Sequence, residues 1–432
     1  RDARSHVSSF VPASPWGHAC RFATLRMAAV QICVTAVGGR EVVSCSLDAD
    51  RCVRDLIKLS ADAAGVPSSC VKLLHLGTVL AADASLQDAG IQSGAGITLV
   101  LTHSQHVVTT SADQTARLWN MEDGVCKRTF SGHSSEVHTA TLSPDRAYVL
   151  TVSDDGSAKL WHLASGECVH TFGGIYYFVN SVAFSPNGQS VLVACADFTA
   201  RLNNVATGEC THVYEGHTGG VNSVCYSDDG VSSVTASFDH TVRVWDADVG
   251  RCVHSFVHNV ALKTAVFSPG GSAVLSASFG DGLYLWCTSS GLCTLERTGS
   301  AFAFSPGGAT LLAASDDGHV ESWDVATGER QVGFAGHTGY VTSVGFSMDG
   351  KFVLTSSADM TAKVWCPATA ACLRTLTGHD NIVTRAELAP EGDRVLTASD
   401  DGTAKLWSLE NGTCTQTFEG HDGCVTWSTF AP

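Results

Sequence analysis

Tryptophan returns through this chain at a nearly fixed interval. Trp119, Trp161, Trp245, Trp286, Trp323, Trp365 and Trp407 stand 37 to 42 residues apart, and Asn203 fills the one skipped place. Self-similarity at such a period means that one supersecondary unit is repeated, each copy burying its apolar faces against its neighbours instead of around a single centre. The region from 103 to 432 is therefore read as eight copies of one unit.

The second copy shows the unit in full. Gly132-His133 precedes an alternating stretch that ends on Ser143-Pro144-Asp145, and Ser153-Asp154-Asp155-Gly156 turns the chain into Ser157-Ala158-Lys159-Leu160-Trp161. Apolar and polar residues alternate from Tyr148 to Val152 and from Ala158 to His162, bounded by turn residues, which predicts strands. With Gly-His ahead of the copies and tryptophan at their ends, the repeat resembles those of WD40 repeat proteins. The resemblance implies a mainly β fold, an eight-bladed propeller of four-stranded blades. The first copy, from Gln105, lacks the innermost strand and its Gly-His, whereas Gly420-His421 and Cys424 to Phe430 make an innermost strand with no blade of its own. Pairing these ends would close the propeller through its C-terminal strand and cover sheet edges that otherwise invite association. The competing expectation is a chain cut short of further repeats.

The family resemblance implies a buried hydrogen-bond chain of His, Ser, Asp and Trp in each blade. The histidine and the turn aspartate keep a spacing of 22 residues in His133 and Asp155, His217 and Asp239, His337 and Asp359, and His379 and Asp401. Ser153, Ser237, Ser357 and Ser399 stand two before the aspartates, and Trp161, Trp245, Trp365 and Trp407 six after. If the ends pair, His421 joins Ser111, Asp113 and Trp119. A Ser, His and Asp also suggest a nucleophilic triad. Five near-identical sets argue for scaffold, and no phosphate loop, nucleophile elbow or zinc spacing stands out. No catalytic residue, cofactor or metal is assigned.

Seven of the 17 cysteines, Cys126, Cys168, Cys210, Cys252, Cys293, Cys372 and Cys414, share one repeat position. Equivalent places in neighbouring blades lie too far apart for a disulfide, which needs Cα atoms within about 7 Å. The expectation is free thiols acting as small buried hydrophobes in a reducing compartment.

Ahead of the repeats, residues 27–102 read differently. Val30-Gln31-Ile32-Cys33-Val34, the glycine turn Val37-Gly38-Gly39-Arg40 and Val42 to Leu47 predict a hairpin. Val53, Leu56, Ile57, Ser60, Ala61 and Ala64 predict a helix. With Val71 to Gly77, Ser85 to Gln92 and Ile97 to Leu101, this order of elements resembles ubiquitin along its whole length, a small α+β (β-grasp) domain. The resemblance implies a partner-binding patch at Val37, Leu74 and Val100, with Thr98 at its rim; the alternative is that Leu74 and Val100 face the propeller. Thr102-His103-Ser104 replaces the double-glycine tail, so the expectation is an embedded ubiquitin-like domain, not a modifier. Residues 1–26 hold four arginines and one acid, read as a disordered upstream extension or, alternatively, an organelle-targeting leader.

From His103 onward there are 17 basic and 34 acidic residues, so nucleic acid is not expected as a direct ligand. No stretch is long and apolar enough to span a membrane. Blades 3, 5 and 6 break the Gly-His pattern, and an aromatic cluster is read on blades 3 to 5. Tyr176, Tyr177, Phe178, Phe238 and Phe279, with Tyr340 opposite, are the candidate partner contacts, because aromatics dominate binding hot spots. The alternative is drift in redundant repeats whose aromatics tuck into the central channel. The expected function is a non-catalytic protein-protein interaction scaffold or adaptor, a monomer within larger cytoplasmic or nuclear complexes. Its ubiquitin-like domain would look to the proteasome or ubiquitin receptors. A ribosome assembly factor of notchless type is the alternative, and a propeller-based enzyme a third, which would need a unique polar constellation in the channel; none is visible in the sequence.

Overall fold

The computed structural model describes residues 29–36, 41–48, 53–64, 71–75, 78–80, 84–92, 95–101, 106–174, 177–280, 282–315 and 317–431. In the N-terminal part, β1 (Ala29–Ala36) and β2 (Glu41–Asp48) form an antiparallel hairpin, followed by α1 (Val53–Ala64), β3 (Val71–His75), β4 (Thr78–Val79) and β5 (Ala95–Leu101). The sheet runs β2-β1-β5-β3-β4, with β1 and β5 parallel. Val53 and Leu56 of the helix are buried with Ile32, Val34, Leu73, Leu86, Ile91 and Ile97, the small core that the alternating strands and the helical spacing require.

Eight antiparallel sheets of four strands follow, here called blades 1 to 8. Seven are built from consecutive strands. In blade 1 the C-terminal strand Val425–Ala431 pairs antiparallel with His106–Ser111, in register from Val425 opposite Ser111 to Ala431 opposite His106.

Strand Tyr148–Ser153 departs from the exposed-and-buried alternation read in the sequence. Val149, Leu150, Thr151 and Val152 are all fully buried. Val149 packs with Val108 and Phe130 of blade 1, whereas Leu150 and Val152 pack with Val191 and Val193 of blade 3. The two-residue period survives as a choice between two neighbouring sheets, since a sheet covered on both faces needs apolar residues on both.

Neighbouring innermost strands are tied across blades by side chains. Asn180 Nδ2 donates to the Val221 carbonyl at 2.8 Å, Asn222 Nδ2 to Leu262 at 2.7 Å, Thr384 Oγ1 to Val425 at 2.9 Å and Thr426 Oγ1 to Val137 at 2.6 Å. Thr342 Oγ1 does the same to Val383. At two other junctions His138 and Lys263 occupy that place.

Candidate functional site: the polar relays and an aromatic face

In blade 2 His133 Nδ1 lies 2.9 Å from Asp155 Oδ2 and His133 Nε2 2.8 Å from Thr151 Oγ1, which also accepts the Trp161 indole N–H at 2.8 Å. The same relay joins His217, Asp239, Thr235 and Trp245; His337, Asp359, Thr355 and Trp365; His379, Asp401, Thr397 and Trp407. In blade 1 it joins His421 to Asp113, Thr109 and Trp119. The hydroxyl in the relay is thus threonine, not the serine expected from the sequence. Ser153 Oγ donates to the Ser135 carbonyl and accepts the Asp155 N–H, tying the Gly-His loop to the turn. Ser111, Ser237, Ser357 and Ser399 bond the equivalent carbonyls of Gly423, Gly219, Gly339 and Asn381. The ladder shifts register between Val152 and Ser153, so the two hydroxyls, although two residues apart, meet different partners. The threonines keep a constant place 18 residues after the histidine and ten before the tryptophan, a signal present in the sequence.

Burial pushes the His133, His217, His337 and His421 imidazoles below their ordinary value, even beside a carboxylate. A neutral ring with its Nδ1–H on the aspartate leaves Nε2 to accept the threonine O–H, so every group is satisfied. Burial works to raise Asp155, but hydrogen bonds from Ser157, the Ser134 N–H and His133 outweigh it and hold the carboxyl at about 2. Thr151, Thr235, Thr355 and Thr397 are fully buried, out of reach of a substrate. Blade 5 keeps a remnant, with Ser276 between His258 and Trp286 and, among the described residues, no carboxylate on the histidine; burial pushes His258 down to about 4.

A further polar cluster joins two inner strands. Arg385, on inner strand Val383–Leu388, places its guanidinium carbon 3.4 Å from the Trp427 ring centroid, and its Nη2 3.7 Å from Glu387 Oε2. Thr429 Oγ1 donates to Glu387 Oε1 at 3.2 Å. Burial pushes Arg385 down and Glu387 up from their ordinary values. Arg385 Nε and Glu387 Oε2 lack hydrogen-bond partners. The sequence reading found no such constellation, because its members come from two strands some forty residues apart. Among the described residues no group of His, Cys, Asp and Glu is arranged to hold a metal.

The aromatic candidates separate. Phe238 and Phe279, on the turns of blades 4 and 5, stack with ring centroids 5.2 Å apart and planes 3° apart, and each is over half exposed, 51% and 54%. Phe178 is exposed too, its ring lying where a side chain on Gly156 of blade 2 would stand. These three rings, His138, Asp154 and Lys263 line one groove of about 400 Å³. His138 Nδ1 is 3.3 Å from Asp154 Oδ1. Tyr340 is exposed and outside this groove. Tyr177 is half-buried under the Arg201 guanidinium, 4.4 Å from ring centroid to carbon, and Tyr176 lies outside the described residues. Two exposed residues escaped the sequence reading. Phe198 and Met360 follow the turn aspartate at φ 74° and 67°, where blades 2 and 8 carry Gly156 and Gly402. A bulky residue held in this left-handed region costs roughly 1–2 kcal/mol.

On the N-terminal sheet, register sets Leu74 opposite Thr98, with Val100 two positions along β5; Thr98 is half-buried. Val37 lies outside the described residues. The seven repeat cysteines are free but not buried as expected: Cys168, Cys210, Cys293, Cys372 and Cys414 are exposed, and Cys126 and Cys252 half-exposed, at the start of each outermost strand.

Comparison with known proteins agrees with the repeat geometry. The family model described as "WD domain, G-beta repeat" matches residues 124–162, and the one described as "IFT122 first beta-propeller" matches residues 178–432, more than half of the chain. No curated protein matches the sequence. With its relays and four-stranded sheets, the chain is a WD40 protein and belongs to the IFT122 first beta-propeller family.

Proposed function

We propose that this protein is a non-catalytic interaction scaffold in which a closed eight-bladed propeller over residues 103–432 holds one protein partner on the aromatic turns of blades 3 to 5. A ubiquitin-like domain over residues 27–102 docks a second partner, in turnover at the proteasome or ubiquitin receptors. WD40 propellers generally mediate protein-protein contacts. The observation that carries the reading is the solvent-facing Phe238–Phe279 stack beside Phe178. Three large aromatic side chains left in water are unfavourable by about 25 cal/mol per Å² of apolar surface, and such contiguous patches mark interaction sites. Support for the N-terminal half comes from the sheet order β2-β1-β5-β3-β4 with one helix after the hairpin.

The test is affinity purification with mass spectrometry, comparing the chain from Met27 with a shortened chain beginning at His103. Proteasome or ubiquitin-receptor subunits recovered only with the longer chain support the second docking role, and a partner kept by both chains supports the propeller's. Identical partners from both chains would remove the second docking role.

A further inference from the structure

The charge pattern around the aromatic groove bears on what kind of chain it takes. On the turns, the place held by Phe238 and Phe279 in blades 4 and 5 is held by Asp154 in blade 2 and Asp400 in blade 8. On the preceding loops, Asp422 of blade 1 and Asp380 of blade 8 follow the relay histidines, their N–H groups bonded to the turn aspartates Asp113 and Asp401. Glu136 of blade 2 and Asp400 both flank the Cys424 thiol. None of these five carboxylates pairs with a lysine or arginine among the described residues, and Asp154, Asp380 and Asp422 are exposed. Blades 8, 1 and 2 are successive neighbours through the Thr384 and Thr426 bonds. The face thus carries an acidic sector that abuts an aromatic one, and Asp154 and Phe178 meet in the groove where they join.

We infer that this face takes a peptide segment of a partner in which one aromatic or long aliphatic side chain enters the groove and the adjoining residues, several of them lysine or arginine, run over blades 2, 1 and 8. The inference rests on the interaction reading above and adds the partner's chemistry. A groove of about 400 Å³ lies toward the small end of ligand pockets and suits one large side chain. The repeat region, with 17 basic against 34 acidic residues, steers a basic segment toward it from a distance. Direction is set by Lys263, exposed on inner strand Leu262–Phe267 and without a hydrogen-bond or ion-pair partner among the described residues. It repels a basic residue on the blade 5 side of the groove, so the positive flank lies toward Asp154. Phe198 holds a further apolar side chain outward on the turn of blade 3.

The experiment is selection of a random short-peptide library on the full chain and on Phe238→Ser/Phe279→Ser. The expected winners carry an aromatic, Leu or Met residue flanked on one side by Lys or Arg. They are lost on the double variant, and they bind about tenfold more weakly to Glu136→Gln/Asp400→Asn, with a flatter salt dependence. Acidic or uncharged winners that are nonetheless lost on the phenylalanine variant would overturn the basic partner while leaving the interaction face standing. Winners indifferent to both variants, or no enrichment at all, would overturn both. The glutamate and aspartate variant touches no core residue and keeps the test decisive if the phenylalanine variant folds poorly.

Discussion

Thr355→Val should be among the most damaging single-methyl-for-hydroxyl exchanges in the molecule, and clearly worse than Ser357→Ala two residues on. Thr355 Oγ1 is fully buried, 2.7 Å from His337 Nε2 and 2.9 Å from the Trp365 Nε1 it accepts. Valine keeps the shape and removes both interactions, stranding a buried indole N–H and an imidazole nitrogen. Each stranded group costs about 1–3 kcal/mol, so the loss is about 2–6 kcal/mol, offset only slightly by the added methyl. Ser357 bonds a loop carbonyl, Gly339 O at 3.1 Å, and the Asp359 N–H at 3.1 Å. Its loss should cost about 1 kcal/mol, as for an ordinary hydrogen bond near a turn. Urea titrations followed by tryptophan fluorescence, with Trp365 itself in the relay, read both variants. A Thr355→Val protein within about 0.5 kcal/mol of the parent, a typical surface-substitution effect, or a Ser357→Ala protein that is equally destabilised, would refute the threonine-centred relay.

Acid should unfold the repeats from two causes of the same sign. Histidines depressed by burial resist protonation in the folded state, and aspartates held low resist it too. In both cases the unfolded chain binds more protons, so stability falls with pH, beginning below the ordinary histidine value near 6.5 and steepening from 3.8 towards about 2. A melting temperature flat between pH 7 and 4 would contradict this. Glu387→Ala takes the carboxylate from an Arg385 whose side chain is 28% exposed and should cost about 1–2 kcal/mol, with faster hydrogen exchange in Val425–Ala431, whose Thr429 loses its acceptor; unchanged exchange there would sink the assignment. Replacing Arg385 and Glu387 together by Met and Leu should be near neutral, since both members of the pair are removed together, as thermal denaturation would show. Phe198→Gly should stabilise by about 1 kcal/mol, relieving the φ of 74°, and weaken partner binding measured alongside; a loss of stability would show that the turn is not strained.

Much of this was legible because the period is long and regular. The 22-residue spacing pointed to four histidine–aspartate pairs, such as His133 with Asp155, and the fifth, His421 with Asp113, followed only from letting the two ends of the repeats pair. Threonine was missed for a local reason. Thr151 and Ser153 both recur in all five copies that carry the relay, and only the register shift between Val152 and Ser153 decides which hydroxyl meets the histidine. The cysteines misled because a small apolar side chain need not be buried when it opens an outermost strand. Tyr177 was indistinguishable from Phe178 by type, and Arg201 decides between them by taking Tyr177 beneath it. Two of the groove's polar members, His138 and Lys263, were hidden in positions that elsewhere hold Asn or Thr as a tie to the next blade.

The most direct measurement is quantitative partner recovery from cells with the full chain and with Phe238→Ser/Phe279→Ser at matched levels. The account predicts that at least one stoichiometric partner disappears from the variant while the melting temperature stays that of the parent, because both rings are over half exposed. The same partners in the same amounts from both proteins would contradict the claim that this face is where the protein works.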